Sequence, residues 1–80
     1  MLTSGTTDQE IEQLILNFLL TRTERKVALV IAKVAEAAGN SEEQFLFRVE
    51  AAIKRLTAMQ ALEARGDISI WRHGEIRLIA

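Results

Sequence analysis

The chain has 80 residues, of which 49% are hydrophobic and 26% charged, with a formal net charge of −1 and no cysteine. A chain this short buries only about 60 to 65% of its unfolded surface, so one core is the limit. The composition is that of a folded globular domain, and the missing cysteines exclude disulfides, thiolate nucleophiles and cysteine-ligated zinc.

Residues 1 to 6 are small and polar around Gly5, and they read as a frayed end that belongs to the single domain of residues 1 to 80. The opening MLTSGTTDQE has neither a basic start nor a following uncharged apolar stretch. Neither export nor membrane insertion is indicated, and the cytoplasm is the expected location. Thr7 and Glu10 match a capping box, with Asp8, Glu10 and Glu12 placed where a helix N-terminus favours carboxylates. Behind them Ile11, Leu14, Ile15, Phe18 and Leu19 form one apolar stripe, which predicts a first helix to about Leu20.

Thr21, Arg22 and Thr23 break the pattern, and Thr23 is the expected N-cap of a second helix from Glu24. Val27, Val30, Ile31 and Val34 share one face, and Gly39-Asn40 suits a left-handed stop. Val27 to Ile31 alone could be a buried strand, but helical spacing through Ala35 and Ala38 favours helix. Ser41 and Gln44 match a second capping box, and Phe45, Val49, Ala52, Ile53, Leu56, Met59 and Leu62 predict a third helix running until Gly66. The period then falls to two. Ile68 and Ile70 are expected to pair with Leu78 and Ile76 in a terminal hairpin, with Gly74 left-handed in an Arg72-His73-Gly74 loop. Three helices followed by a C-terminal β-hairpin is an α+β fold of winged helix-turn-helix order; a three-helix bundle with a hairpin lid is the alternative.

Chemistry is sparse. His73 is the one imidazole, and neither a glycine-rich phosphate loop nor a metal-ligand set is present, so no catalytic residue, metal, cofactor or small-molecule substrate is indicated. Glu42 and Glu43 are explained by the helix dipole, and point too far apart to act as an acid/base pair. For DNA, the N-terminal part of the third helix reads Ser41, Glu42, Glu43, Gln44, where carboxylates repel phosphates. Arg22, Arg25, Lys26 and Lys33 give the second helix a net +2, but the positive charges are dispersed, so nucleic acid is not favoured. Lys26, Arg48, Arg72 and Arg77 are the candidates for an anionic group or a partner. The apolar surplus suggests a protein interface, with Phe45, Leu46, Phe47 and Trp71 as its candidates.

Arg25-Lys26-Val27-Ala28, Arg48, Leu62-Glu63-Ala64-Arg65-Gly66-Asp67, Trp71-Arg72 and Glu75-Ile76-Arg77-Leu78 together resemble a family of bacterial winged-helix-like domains of unknown function. The resemblance spans roughly residues 8 to 79, and in longer relatives the domain follows another uncharacterised one. What it implies is a module that acts by interaction; it brings no reaction, ligand or catalytic residue. The resulting expectation is a non-catalytic interaction module that self-associates as a homodimer or binds another protein, and the alternative is a DNA-binding regulator of winged-helix type.

Overall fold

Thr7 starts the first helix as its spacing predicts: its hydroxyl accepts from the Glu10 amide, and the Glu10 carboxylate accepts from the Thr7 amide. The helix, α1, runs Asp8–Leu19 and buries Ile11, Ile15 and Leu19. The structure, a computed structural model, describes residues 6–20 and 24–79. Of the expected frayed end at residues 1 to 6, residues 1–5 lie outside the described residues, as do Thr21, Arg22 and Thr23 with its expected capping role; Thr6 is described, and its carbonyl accepts from Arg48.

The second helix begins three residues later than expected, because Arg25–Lys26 is strand β1. Tertiary pairing overrides local propensity here. Helix α2, Val27–Ala38, buries Val27, Val30, Ile31, Val34 and Ala35 at helical spacing, so the stretch that could have been a strand is helical. Lys26 occupies the N-cap without a side-chain bond. The Val27 amide instead donates to the Gly74 carbonyl at 2.9 Å, and the Ala28 amide to the Trp71 carbonyl at 3.0 Å. At the other end Gly39, at φ 69, closes α2 in the left-handed conformation expected of it.

Helix α3, Glu43–Ala58, starts one residue after the proposed capping box would place it. Glu42 is the N-cap, and its amide donates to the Asn40 side chain at 3.0 Å in place of a Ser41–Gln44 exchange. The helix also stops eight residues short of Gly66. The Ala61 amide returns to the Leu56 carbonyl and the Gln60 amide to that of Thr57, a Schellman closure with Gln60 at φ 64 in the position glycine usually takes. Met59, which fits the helical spacing, is 69% exposed.

Leu62–Arg65 is therefore strand β2, and it pairs antiparallel with β3, Glu75–Leu78. Leu62 stands opposite Leu78 and Ala64 opposite Ile76, while Glu63 faces Arg77 and Arg65 faces Glu75. The hairpin has β2, not residues 68–70, as its first arm. Ile68 to His73 lies in successive turns: the Asp67 carboxylate accepts from the Ser69 amide, and the Ile70 carbonyl accepts from both His73 and Gly74. Gly66, at φ 79, is the left-handed residue of this segment. Gly74 is needed for close approach instead: an added Cβ would lie 2.8 Å from the Asp67 carbonyl and 3.1 Å from the Ile68 Cα.

β1 adds to the other side of β3, Arg25 opposite Ile76 and Lys26 opposite Glu75, so the sheet order is β1-β3-β2. The fold is α+β: the described residues form three helices and a three-stranded antiparallel sheet around one core, which holds Ile76 and Leu62 together with Ile15, Ile31, Phe45 and Ile53. Each such fully buried side chain contributes about 1.5–3 kcal/mol.

Two substitutions test these backbone readings by urea denaturation. Gly74→Ala should lower stability by about 1–3 kcal/mol, because the methyl group meets the Asp67–Ile68 backbone and the Val27 side chain. Gln60→Gly should raise it by about 0.5–1 kcal/mol, by relieving the left-handed conformation. Opposite signs would refute the assigned conformations.

Candidate functional site

Phe45, Leu46 and Phe47 are successive residues of α3, so their side chains leave the helix about 100° apart. The structure separates them accordingly. Phe45 points into the core at 3% exposure, with the Arg48 guanidinium 5.8 Å from its ring centre, so it is withdrawn from the expected apolar interface. Leu46 is half-buried and lines a groove between α2 and α3 with Ala32, Ala35 and Gly39. Phe47 is 53% exposed.

Trp71 comes to Phe47 from the turn between β2 and β3, not from the outer face of a hairpin strand. The two rings meet edge to face, centroids 5.9 Å apart and planes at 65°, an arrangement worth about 0.5–1.5 kcal/mol beyond the area it buries. Trp71 is half-buried and packs against the core cluster, and its backbone carbonyl is the one that accepts from Ala28. Ile70, its neighbour, is 51% exposed. Ile70 is the residue of this surface that alternation places wrongly; the Gly66-Asp67 pair, with Ser69 two residues beyond Asp67, is the sequence signal of a turn that would have found it.

The four candidate cations do not converge. Lys26 pairs with Glu75 at 3.4 Å, Arg77 pairs with Glu63, and Arg48 bonds Asp8 at 2.9 Å and the Thr6 carbonyl at 2.6 Å. Arg72 is exposed on the turn and has no ion pair among the described residues. The other cations follow the same rule: Arg55 pairs with Glu12, Arg65 with Glu24, Lys54 with Glu50 and Lys33 with Glu36. Arg22 lies outside the described residues; of the other nine Lys and Arg, these seven are paired and Arg25 and Arg72 are not. Each exposed pair contributes only about 0–1 kcal/mol to stability, but it leaves little unspent positive charge for a polyanion.

The acids have the opposite distribution at the start of α3. Glu42 and Glu43 are exposed and have no ion pair among the described residues. His73 is exposed on the turn, and no three His, Asp or Glu side chains are grouped to hold a metal among the described residues. No helix among the described residues is long and apolar enough to cross a membrane.

No protein-family model, curated protein or solved structure matches this chain.

The two phenylalanines of α3 separate core from surface. Phe45→Ala should cost about 3–5 kcal/mol of unfolding free energy, whereas Phe47→Ala should cost under about 1.5 kcal/mol, because it removes one partly exposed ring contact. Equal losses in urea midpoints would contradict the assignment of Phe47 to a free surface.

Proposed function

We propose that this protein is a non-catalytic, winged-helix-like interaction module that binds protein, in the first place a second copy of itself, through the outer face of α3 and the adjoining turn. The reading is supported by the order helix, short strand, two helices and two strands, in which α3 stands where a recognition helix stands. The resemblance to bacterial winged-helix-like interaction domains forms part of the same proposal.

One observation carries the choice of protein over DNA. The outer face of α3 carries Glu43, Gln44, Phe47, Ala51 and Lys54, and Lys54 is paired within the helix to Glu50. At its centre is an aromatic pair on a half-exposed surface, and at its start are unpaired carboxylates. Aromatic anchors with little free charge are the composition of protein interfaces, whereas duplex recognition draws on cations to neutralise phosphates. Arg72 on the turn is the feature that favours the second reading, a winged-helix DNA-binding regulator with the turn as part of its wing.

The two readings separate in one titration. The protein module should show weak binding to duplex DNA even at low salt, together with concentration-dependent sedimentation. A regulator should bind duplex tightly at low salt and lose affinity steeply as salt rises. Tight, steeply salt-dependent binding would overturn the proposal in favour of the regulator.

A further inference from the structure

The charges left without an internal partner decide how the face proposed for protein binding responds to its surroundings. Along α3 the ion pairs cancel: Arg48 is matched by Asp8, Lys54 by Glu50 and Arg55 by Glu12. Glu42 and Glu43 are exposed and unmatched among the described residues, so the start of the helix presents two uncompensated negative charges. On the adjoining turn Asp67 and Arg72 are exposed without an ion pair, and they offset one another, with His73 neutral. The face therefore carries the same two uncompensated negative charges whether or not the turn is counted with the helix. The positive end of the helix dipole, equivalent to about half a charge, offsets only part of them.

A homodimer formed through one face is isologous: the same patch lies on both sides of the contact, and its net charge meets an equal charge of the same sign. The apolar centre, with Phe47 53% exposed and Trp71 against it, draws two copies together, while the carboxylates oppose their approach. We infer that self-association through this face is controlled by ionic strength: Glu42 and Glu43 hold the copies apart when charges act at long range, and salt releases the apolar contact by screening them. This rests on the reading of α3 and the turn as a self-associating surface, and it adds the condition under which that surface closes. With charge centres about 10 Å apart in water, and a Debye length that falls from about 30 Å in about 0.01 M salt to about 8 Å in about 0.15 M, the loss of repulsion tightens association about three-fold. A nucleic-acid site responds in the opposite sense, because added salt competes for the phosphates.

The test is sedimentation velocity of the full chain over a concentration series in about 0.01 M and about 0.15 M sodium chloride. The dissociation constant should be about three-fold lower at the higher salt. Glu42→Gln combined with Glu43→Gln removes both charges and leaves the apolar centre in place. That variant should associate about five-fold more tightly than the parent at low salt, and its affinity should no longer change with salt. Its response separates screening of these two carboxylates from any general effect of salt on apolar contacts. Circular dichroism checks that the variant keeps its fold, which the exposure of both positions favours, and the salt response of the parent stands as a test without it. A parent chain that associates equally well or more weakly at the higher salt would overturn the inference and leave the interaction surface standing. A folded double variant with the salt response of the parent would do the same. A parent chain monomeric at every salt and every concentration would overturn the inference together with the self-association on which it rests.

Discussion

The first amides of α2 have no partner within their own helix, and no side chain caps them. The carbonyls of Gly74 and Trp71 take them up, from a segment more than forty residues further along the chain. Leaving two such amides unsatisfied in a buried setting would cost about 1–3 kcal/mol each. The cap therefore ties the helical half to the sheet half, and much else follows from it. It brings the turn of residues 66–74 over the start of α2, requires glycine where Gly74 backs onto Asp67 and Ile68, and delivers β3 between β1 and β2. It also sets Trp71 against α3, since the residue whose carbonyl caps Ala28 is the residue whose ring meets Phe47. The proposed binding surface is thus a by-product of how one helix is capped.

Charge is distributed with comparable consequences. Ion pairs join elements that are far apart in sequence: Arg48 and Arg55 on α3 reach Asp8 and Glu12 on α1, and Arg65 on β2 reaches Glu24 beside β1. Individually these pairs are weak at an exposed surface. Together they neutralise most of the positive charge that a nucleic-acid-binding domain of this size would hold free. Among the described residues the charges without an ion pair are Glu10 on α1, Arg25 on β1, Glu42 and Glu43 at the start of α3, and Asp67 and Arg72 on the turn.

Much of the fold was legible in the residues themselves. The Thr7–Glu10 capping box, the stripe of α1, the left-handed Gly39 and the helical spacing of Val27, Val30, Ile31 and Val34 are local signals, and local structure follows them. The misreadings have two causes: at the start of α2 tertiary contacts replaced the local signal, and at the end of α3 and in the turn the local signal was carried by unusual residues. Thr23 was the natural cap for α2, but strand pairing took Arg25 and Lys26, and distant carbonyls did the capping. The end of α3 was hidden because Gln60 holds the left-handed position that glycine usually marks, while Met59 and Leu62 continued the helical period by chance. The alternation of Ile68, Ser69, Ile70 and Trp71 imitated a strand inside a chain of turns. Of the candidate interface, Leu46, Phe47 and Trp71 could be found from their surplus apolar character. Phe45 stands both in the apolar stripe of the third helix, with Val49, Ala52, Ile53 and Leu56, and in the candidate interface; the helical stripe is the signal the structure follows, and it places Phe45 in the core. The ion partners of Lys26, Arg48 and Arg77 were likewise beyond reach, because they depend on sheet register and on helix packing across forty residues.

The central claim is that Phe47 and Trp71 form a surface that another copy covers. Trp71 is the single tryptophan, so its emission reports on that surface alone. The most direct measurement is the emission maximum and acrylamide quenching of the protein diluted from high to low concentration. Association through this face predicts a shift to longer wavelength and stronger quenching as the dimer dissociates. An emission maximum and quenching constant unchanged across the full range would contradict it, and would mean that Trp71 meets no second copy of the chain.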